Sequence, residues 1–85
     1  MIKINASPKK LLSCGFIGID FKYDWDDNSR RAESINCLLS FLDKDGYYTE
    51  HKGVIFVNQP GIETLILLKL PDRISKIYRS WDIWK

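Results

Sequence analysis

Two groups of side chains in this chain have types and spacings that could do chemistry. Asp20, Asp24, Asp26 and Asp27 crowd one stretch, and closely spaced carboxylates are the hard oxygen donors that a divalent cation takes. Counted from Asp24, a calcium-binding EF-hand loop needs glycine at its sixth position and glutamate at its twelfth; Ser29 and Ile35 stand there, which excludes that loop. A looser magnesium site remains open, with Asp20 and Asp24 joined by Asp26 or Asp27 and retained waters. The bland role of the same residues is to favour a helix N-terminus and keep a strand face wet.

The second group closes the chain. Arg73, Lys76 and Arg79 stand among Tyr78, Trp81 and Trp84. Cations interleaved with aromatics can meet phosphates while rings stack on bases. Trp, Tyr and Arg also dominate protein-binding hot spots. The same residues could instead cover a sheet, with long cationic stems shielding an aromatic rim.

Other chemistry has less support. His51 is the one histidine, between Glu50 and Lys52, with no nucleophile beside it. Cys14 and Cys37 have no CxxC spacing and read as reduced packing thiols. Neither a GxGxxG nor a GxxxxGK[ST] pattern occurs, so no phosphate-cradling loop is marked. No catalytic residue, metal or cofactor is assigned.

These groups must be held by one small domain. Eighty-five residues with a net charge of +2 fall below the roughly 150–200 residues at which chains divide. Three Trp, four Tyr and four Phe supply the bulk from which a small core can be built. The absence of an early apolar run or a stretch long enough to span a bilayer points to a cytoplasmic location.

The clearest strand is Phe16–Trp25, with Ile17, Ile19, Phe21, Tyr23 and Trp25 alternating against Gly18, Asp20, Lys22 and Asp24. Gly18 marks a bulge or a close packing neighbour. Asp26–Ser29 then opens a helix whose stripe is Ala32, Ile35, Leu38, Leu39 and Leu42, ending where Gly46 can turn left-handed. Residues 47–52 and 54–58 read as strands that meet at a bend near Gly53, and Gln59-Pro60-Gly61 as a turn. Thr64–Leu70, apolar on both sides apart from Lys69, has the pattern of an interior strand. From Pro71, Ile74, Ile77, Tyr78, Trp81 and Trp84 fit a helical stripe.

The expected fold is therefore α+β: one antiparallel-dominated sheet of about four strands, with two helices on one face, in the order β-α-β-β-β-α. Residues 1–15 precede it as an appendage in which Ser7 caps a short helical turn, Pro8 starts it and Gly15 stops it. The alternative makes the stretch near Ile62–Leu70 a helix and Lys76–Trp84 a strand, giving the ferredoxin-like order βαββαβ.

Two stretches resemble known families. Lys44–Tyr48, His51-Lys52-Gly53 and Gln59-Pro60-Gly61 resemble the helix-to-meander passage of HicA-type mRNA-cleaving toxins. Those toxins place a catalytic histidine just after the Lys-Gly pair, where this chain has Val54 and Ile55, so the resemblance implies layout without catalysis. Tyr23–Arg31 looks like the end of the first strand in small ferredoxin-like ribonucleases, among them VapD toxins and the small CRISPR adaptation nuclease. That resemblance implies a metal held across a dimer interface by a strand-end aspartate, here Asp24, and it extends further only in the βαββαβ order.

Without an assembled catalytic set, the expected role is a small protein-binding regulator or inhibitor. It would be of the antitoxin, immunity or phage-encoded type, of bacterial or phage origin. Its contact surface would be Arg73, Lys76, Tyr78, Arg79, Trp81 and Trp84, with the acidic group as a second surface and a homodimer open through a sheet edge. The alternative is an RNA-binding protein or metal-dependent ribonuclease, with Asp24 as ligand and Arg30 and Arg31 on phosphate.

Overall fold

The computed structural model describes residues 2–22 and 28–79. The elements are β1 (Ile2–Lys3), α1 (Pro8–Ser13), β2 (Ile17–Phe21), α2 (Asn28–Ser40), β3 (Tyr47–His51), β4 (Val54–Asn58), α3 (Ile62–Lys69) and β5 (Ile74–Tyr78). A 3-10 turn over Pro71–Arg73 leads into β5. The strands form one sheet in the order β1-β3-β4-β2-β5. β1 runs parallel to β3 and the remaining neighbours pair antiparallel, so the sheet is mixed.

This corrects the expected fold. Five strands and three helices replace four strands and two helices, and helices lie on both faces. The apolar run after Gly61 is helix α3 rather than an interior strand, and the segment after Pro71 enters a strand rather than a helix. From β2 onward the order is β-α-β-β-α-β, with β1 and α1 added in front.

One face carries the larger core. Ile19 and Phe21 of β2 and Ile55 and Val57 of β4 pack with Leu38 of α2 and with Ile62, Ile66 and Leu70 in and after α3. In α2 the buried stripe runs through Ser34 and Leu38, while Ala32, expected to join it, is exposed. The buried Ser34 hydroxyl donates to the Arg30 carbonyl at 2.9 Å, which meets its polar requirement one turn back.

Alternate residues of the strands point the other way, and α1 covers them. Leu11 and Leu12 of α1, with Phe16 behind them, close over Val54 and Phe56, and Ile4, Ala6 and Tyr78 border the cluster. Ser7 caps α1 through the Lys10 amide at 3.4 Å, Pro8 occupies the first turn, and the chain turns away at Gly15. Gly18 is the residue that allows this second layer to form. A Cβ there would lie 2.8 Å from Phe56 Cε1 and 3.1 Å from Val54 Cγ1, so a side chain on β2 would displace Phe56. The irregularity in β2 falls instead between Asp20 and Phe21, against β5.

After α2, the side-chain amide of Gln59 fastens the chain. Its Oε1 accepts from the Asp43 amide at 2.6 Å and its Nε2 donates to the Phe41 carbonyl at 3.1 Å. Gly46 is not left-handed, contrary to expectation; it is buried beside Gln59 and Leu42, where a side chain would collide.

Candidate functional site

The structure pulls the C-terminal cluster apart. A strand sends successive side chains to opposite faces, so the helical face expected to gather Arg73, Lys76, Tyr78 and Arg79 does not exist. Arg73 turns back to α2: its Nη1 donates to Ser34 Oγ at 3.1 Å and lies 4.0 Å from Glu33 Oε2. Arg79 Nη2 stands 2.5 Å from Glu63 Oε1 on α3, a charge contact out of line for a hydrogen bond. Tyr78 packs against the cluster under α1, and Lys76 Nζ lies 4.5 Å from the centre of its ring. An exposed cation–π contact of this kind contributes about 0.5–1 kcal/mol. All four of these groups therefore make contacts within the fold, and Trp81 and Trp84 lie outside the described residues.

The acidic group is likewise not assembled. Asp20 is the cross-strand partner of Lys76, and its Oδ1 lies 3.9 Å from Arg31 Nη2. Asp24, Asp26 and Asp27 lie outside the described residues. Among the described residues no three His, Cys, Asp or Glu side chains come together as a metal would need, so these residues do not fit a metal centre.

What the fold does bring together is one end of the sheet. There β2 finishes, α2 starts, β3 turns into β4 and β5 begins. The Lys22 amide donates to the Arg73 carbonyl at 2.8 Å, and Arg31 Nη2 donates to the Gly53 carbonyl at 2.6 Å. Lys22, Arg30, Arg31, Lys52 and Arg73 thus approach one another from four separate segments. The helix N-terminus adds its partial positive charge.

The β3–β4 connection at this end is a two-residue turn. His51 pairs with Val54 in the ladder, leaving Lys52 and Gly53 between them, both at positive φ, 51° and 83°. That is the type I′ geometry, which favours Asn-Gly or Asp-Gly. Lysine in the left-handed region costs on the order of 1 kcal/mol because its Cβ crowds the following carbonyl. Lys52 is exposed, and Arg31 clasps the turn from α2. The Nε of Arg31 is buried without a hydrogen-bond partner among the described residues, so this guanidinium is held through its Nη2, by the bond to the turn and the Asp20 carboxylate at 3.9 Å. The sequence predicts a bend at Gly53; the structure makes it a tight turn that also takes Lys52 into the left-handed region.

The opposite end of the sheet has a shallow cleft of about 220 Å³ at the start of α3, lined by Gly15, Ile17, Asn58, Gly61, Glu63 and Thr64 among others. This is below the roughly 300–1,000 Å³ of ordinary small-molecule pockets. It contains no histidine or cysteine and no paired acid and base. On the far side of α3, Leu67 and Leu68 are 45% and 71% exposed.

Among the described residues no helix is long and apolar enough to cross a membrane. The chain matches no protein-family model, and no curated protein or solved structure is significantly similar to it.

Proposed function

We propose that this chain is a small RNA-binding protein. The observation that carries the reading is the path of the chain from β2 to β5. The likeness of Tyr23–Arg31 to small ferredoxin-like ribonucleases continues past α2 only if a helix follows the turn at Gly61 and a strand follows Pro71. Ile62–Lys69 is that helix and Ile74–Tyr78 that strand. The same path gathers Lys22, Arg30 and Lys52 at one end of the sheet, where phosphates would be met from several segments. Stacking of bases on the sheet itself is disfavoured, because α1 occupies the middle of the free face. Recognition is therefore of backbone charge and shape.

Cleavage is a narrower reading of the same site. It needs a metal, for which the described residues supply no ligand set, so no step is assigned to one. The test is a titration of intrinsic tryptophan fluorescence with single-stranded RNA, duplex RNA and duplex DNA at two salt concentrations. Saturable RNA binding that weakens steeply with salt is expected. No response to any of the three would overturn the reading. Incubating labelled RNA with magnesium or manganese, and with Asp24→Asn as control, separates cleavage from binding.

A second reading, a protein-binding regulator, is favoured by one feature. Leu67 and Leu68 expose apolar surface on a helix that is otherwise nearly all apolar, and such patches mark contact sites when they are large enough. The expected centre of that reading, the Tyr78–Arg79 surface, is occupied by contacts within the fold.

A further inference from the structure

The β3–β4 turn has a feature that the fold alone does not require. Among the described residues Lys52 is the one non-glycine residue at positive φ. Its position in a type I′ turn suits asparagine or glycine better than lysine, so the lysine carries a backbone cost with no packing gain: the residue is exposed and makes no hydrogen bond or ion pair with any described residue. The turn is nonetheless fixed. Arg31 reaches from α2 to the Gly53 carbonyl at 2.6 Å, and the ladder closes directly behind it at His51 and Val54. A cation is thus carried in a strained conformation on a rigid tip. Strained residues held by their surroundings cluster at working sites.

We propose that Lys52 is a phosphate-contacting residue, presented by the Arg31-clasped turn to the phosphodiester backbone of RNA. This deepens the RNA-binding reading and rests on it. Arg31 acts as a positioning residue: its Nη2 bond goes to the turn rather than to a ligand. An ammonium is a compact point charge that meets a phosphate without demanding a fixed approach angle. Such a contact carries no base preference and would act on every sequence alike.

The experiment compares wild type, Lys52→Asn and Lys52→Arg. Each is titrated with a fluorescein-labelled single-stranded RNA of mixed sequence, with a duplex RNA and with inorganic phosphate as competitor, over a range of salt. Asparagine is better suited to the left-handed position, so K52N should melt no lower than wild type. Its affinity for RNA should nevertheless fall roughly fivefold, and its salt slope should shrink by about 0.7 on the single strand and about 0.9 on the duplex. K52R should keep both affinity and slope. Competition by inorganic phosphate at concentrations comparable with RNA phosphate would assign the site to a free anion instead and overturn the RNA assignment. Unchanged affinity and slope in K52N, with wild type binding RNA, would overturn the role of Lys52 and leave the RNA reading standing. Equal losses in K52N and K52R would also overturn it, by showing that turn shape rather than charge matters. If wild type binds no RNA, both readings fall.

Discussion

The two faces of the sheet are closed by different means. On one, α2 and α3 lay long helical stripes over Ile19, Phe21, Ile55 and Val57. On the other, the six-residue helix α1 and Phe16 cover Val54 and Phe56. Five buried residues in the second cluster against eight in the first mean that each of its members carries a larger share of its stability. The second face also decides function, since an uncovered sheet there would expose Phe56 and Tyr78 as stacking platforms. With Phe56 buried under α1 and Tyr78 packed at its border, the candidate site moves from the face of the sheet to its end.

Hollowing out each face in turn gives the largest expected effects. Phe56 is wholly buried, as is Leu38 on the other side. Phe56→Ala should cost about 3–5 kcal/mol and Leu38→Ala about 2–5 kcal/mol, read as the shift in urea midpoint at constant slope. A loss at Phe56 of under about 1 kcal/mol would show that α1 is only loosely applied. The face beneath it would then be open to bases after all.

Next in size is Gly18→Ala, which overfills the same face instead of emptying it. With 2.8 Å to Phe56 Cε1 and 3.1 Å to Val54 Cγ1, the new methyl group should cost about 1–3 kcal/mol. Combining it with Phe56→Leu, which frees the ring's space, should recover part of that loss, because residues in contact are not additive. Strict additivity would mean that the two side chains do not meet.

How legible these parts were follows from the same physics. The alternation of Ile17, Ile19 and Phe21 with small or polar residues and the spacing of Ile35, Leu38 and Leu42 are periods that identify β2 and α2, although the other face of β2, read as wet, is covered by α1 at Gly18. The run Ile62–Lys69 has no such contrast. It exposes Leu67 and Leu68 as freely as a polar residue, and a short run apolar all round has no period to read. Once it is mistaken for a strand, the next segment is pushed toward helix, where Ile74, Ile77 and Tyr78 fit a helical stripe by coincidence. The partners of the terminal cations, Ser34 and Glu63, lie far away in sequence, and no spacing announces a contact across 39 residues. The acidic group could be seen as a cluster but not as a site, because Asp20 faces Lys76 across the sheet.

The third effect is smaller and concerns the join between α3 and β5. Glu63 and Arg79 are 38% and 33% exposed, so water screens their attraction. A double-mutant cycle with Glu63→Gln and Arg79→Gln should give a coupling of about 0.2–1 kcal/mol that declines with salt. It tests whether Arg79 is a fastener of the fold or a reserve cation for a ligand. If the coupling is nil and Arg79→Gln alone weakens RNA binding, Arg79 belongs with Lys52 at the ligand rather than with Glu63.

The smallest expected effect is at Leu68, and its smallness is the point. Ile66, two residues earlier on α3, is wholly buried, whereas Leu68 is 71% exposed. Leu68→Ser removes little apolar surface from the folded protein's contacts, so stability should change by no more than about 0.5 kcal/mol. Ile66→Ala should cost about 2–5 kcal/mol. The slight helix-propensity loss of serine works in the same direction and is of the same order. RNA affinity should not move, since an apolar side chain neutralises no phosphate. A loss above about 2 kcal/mol would mean that Leu68 is covered in solution. If that loss grew with protein concentration, the cover would be a second copy of the chain, and α3 would take over from the β3–β4 turn as the surface to explain.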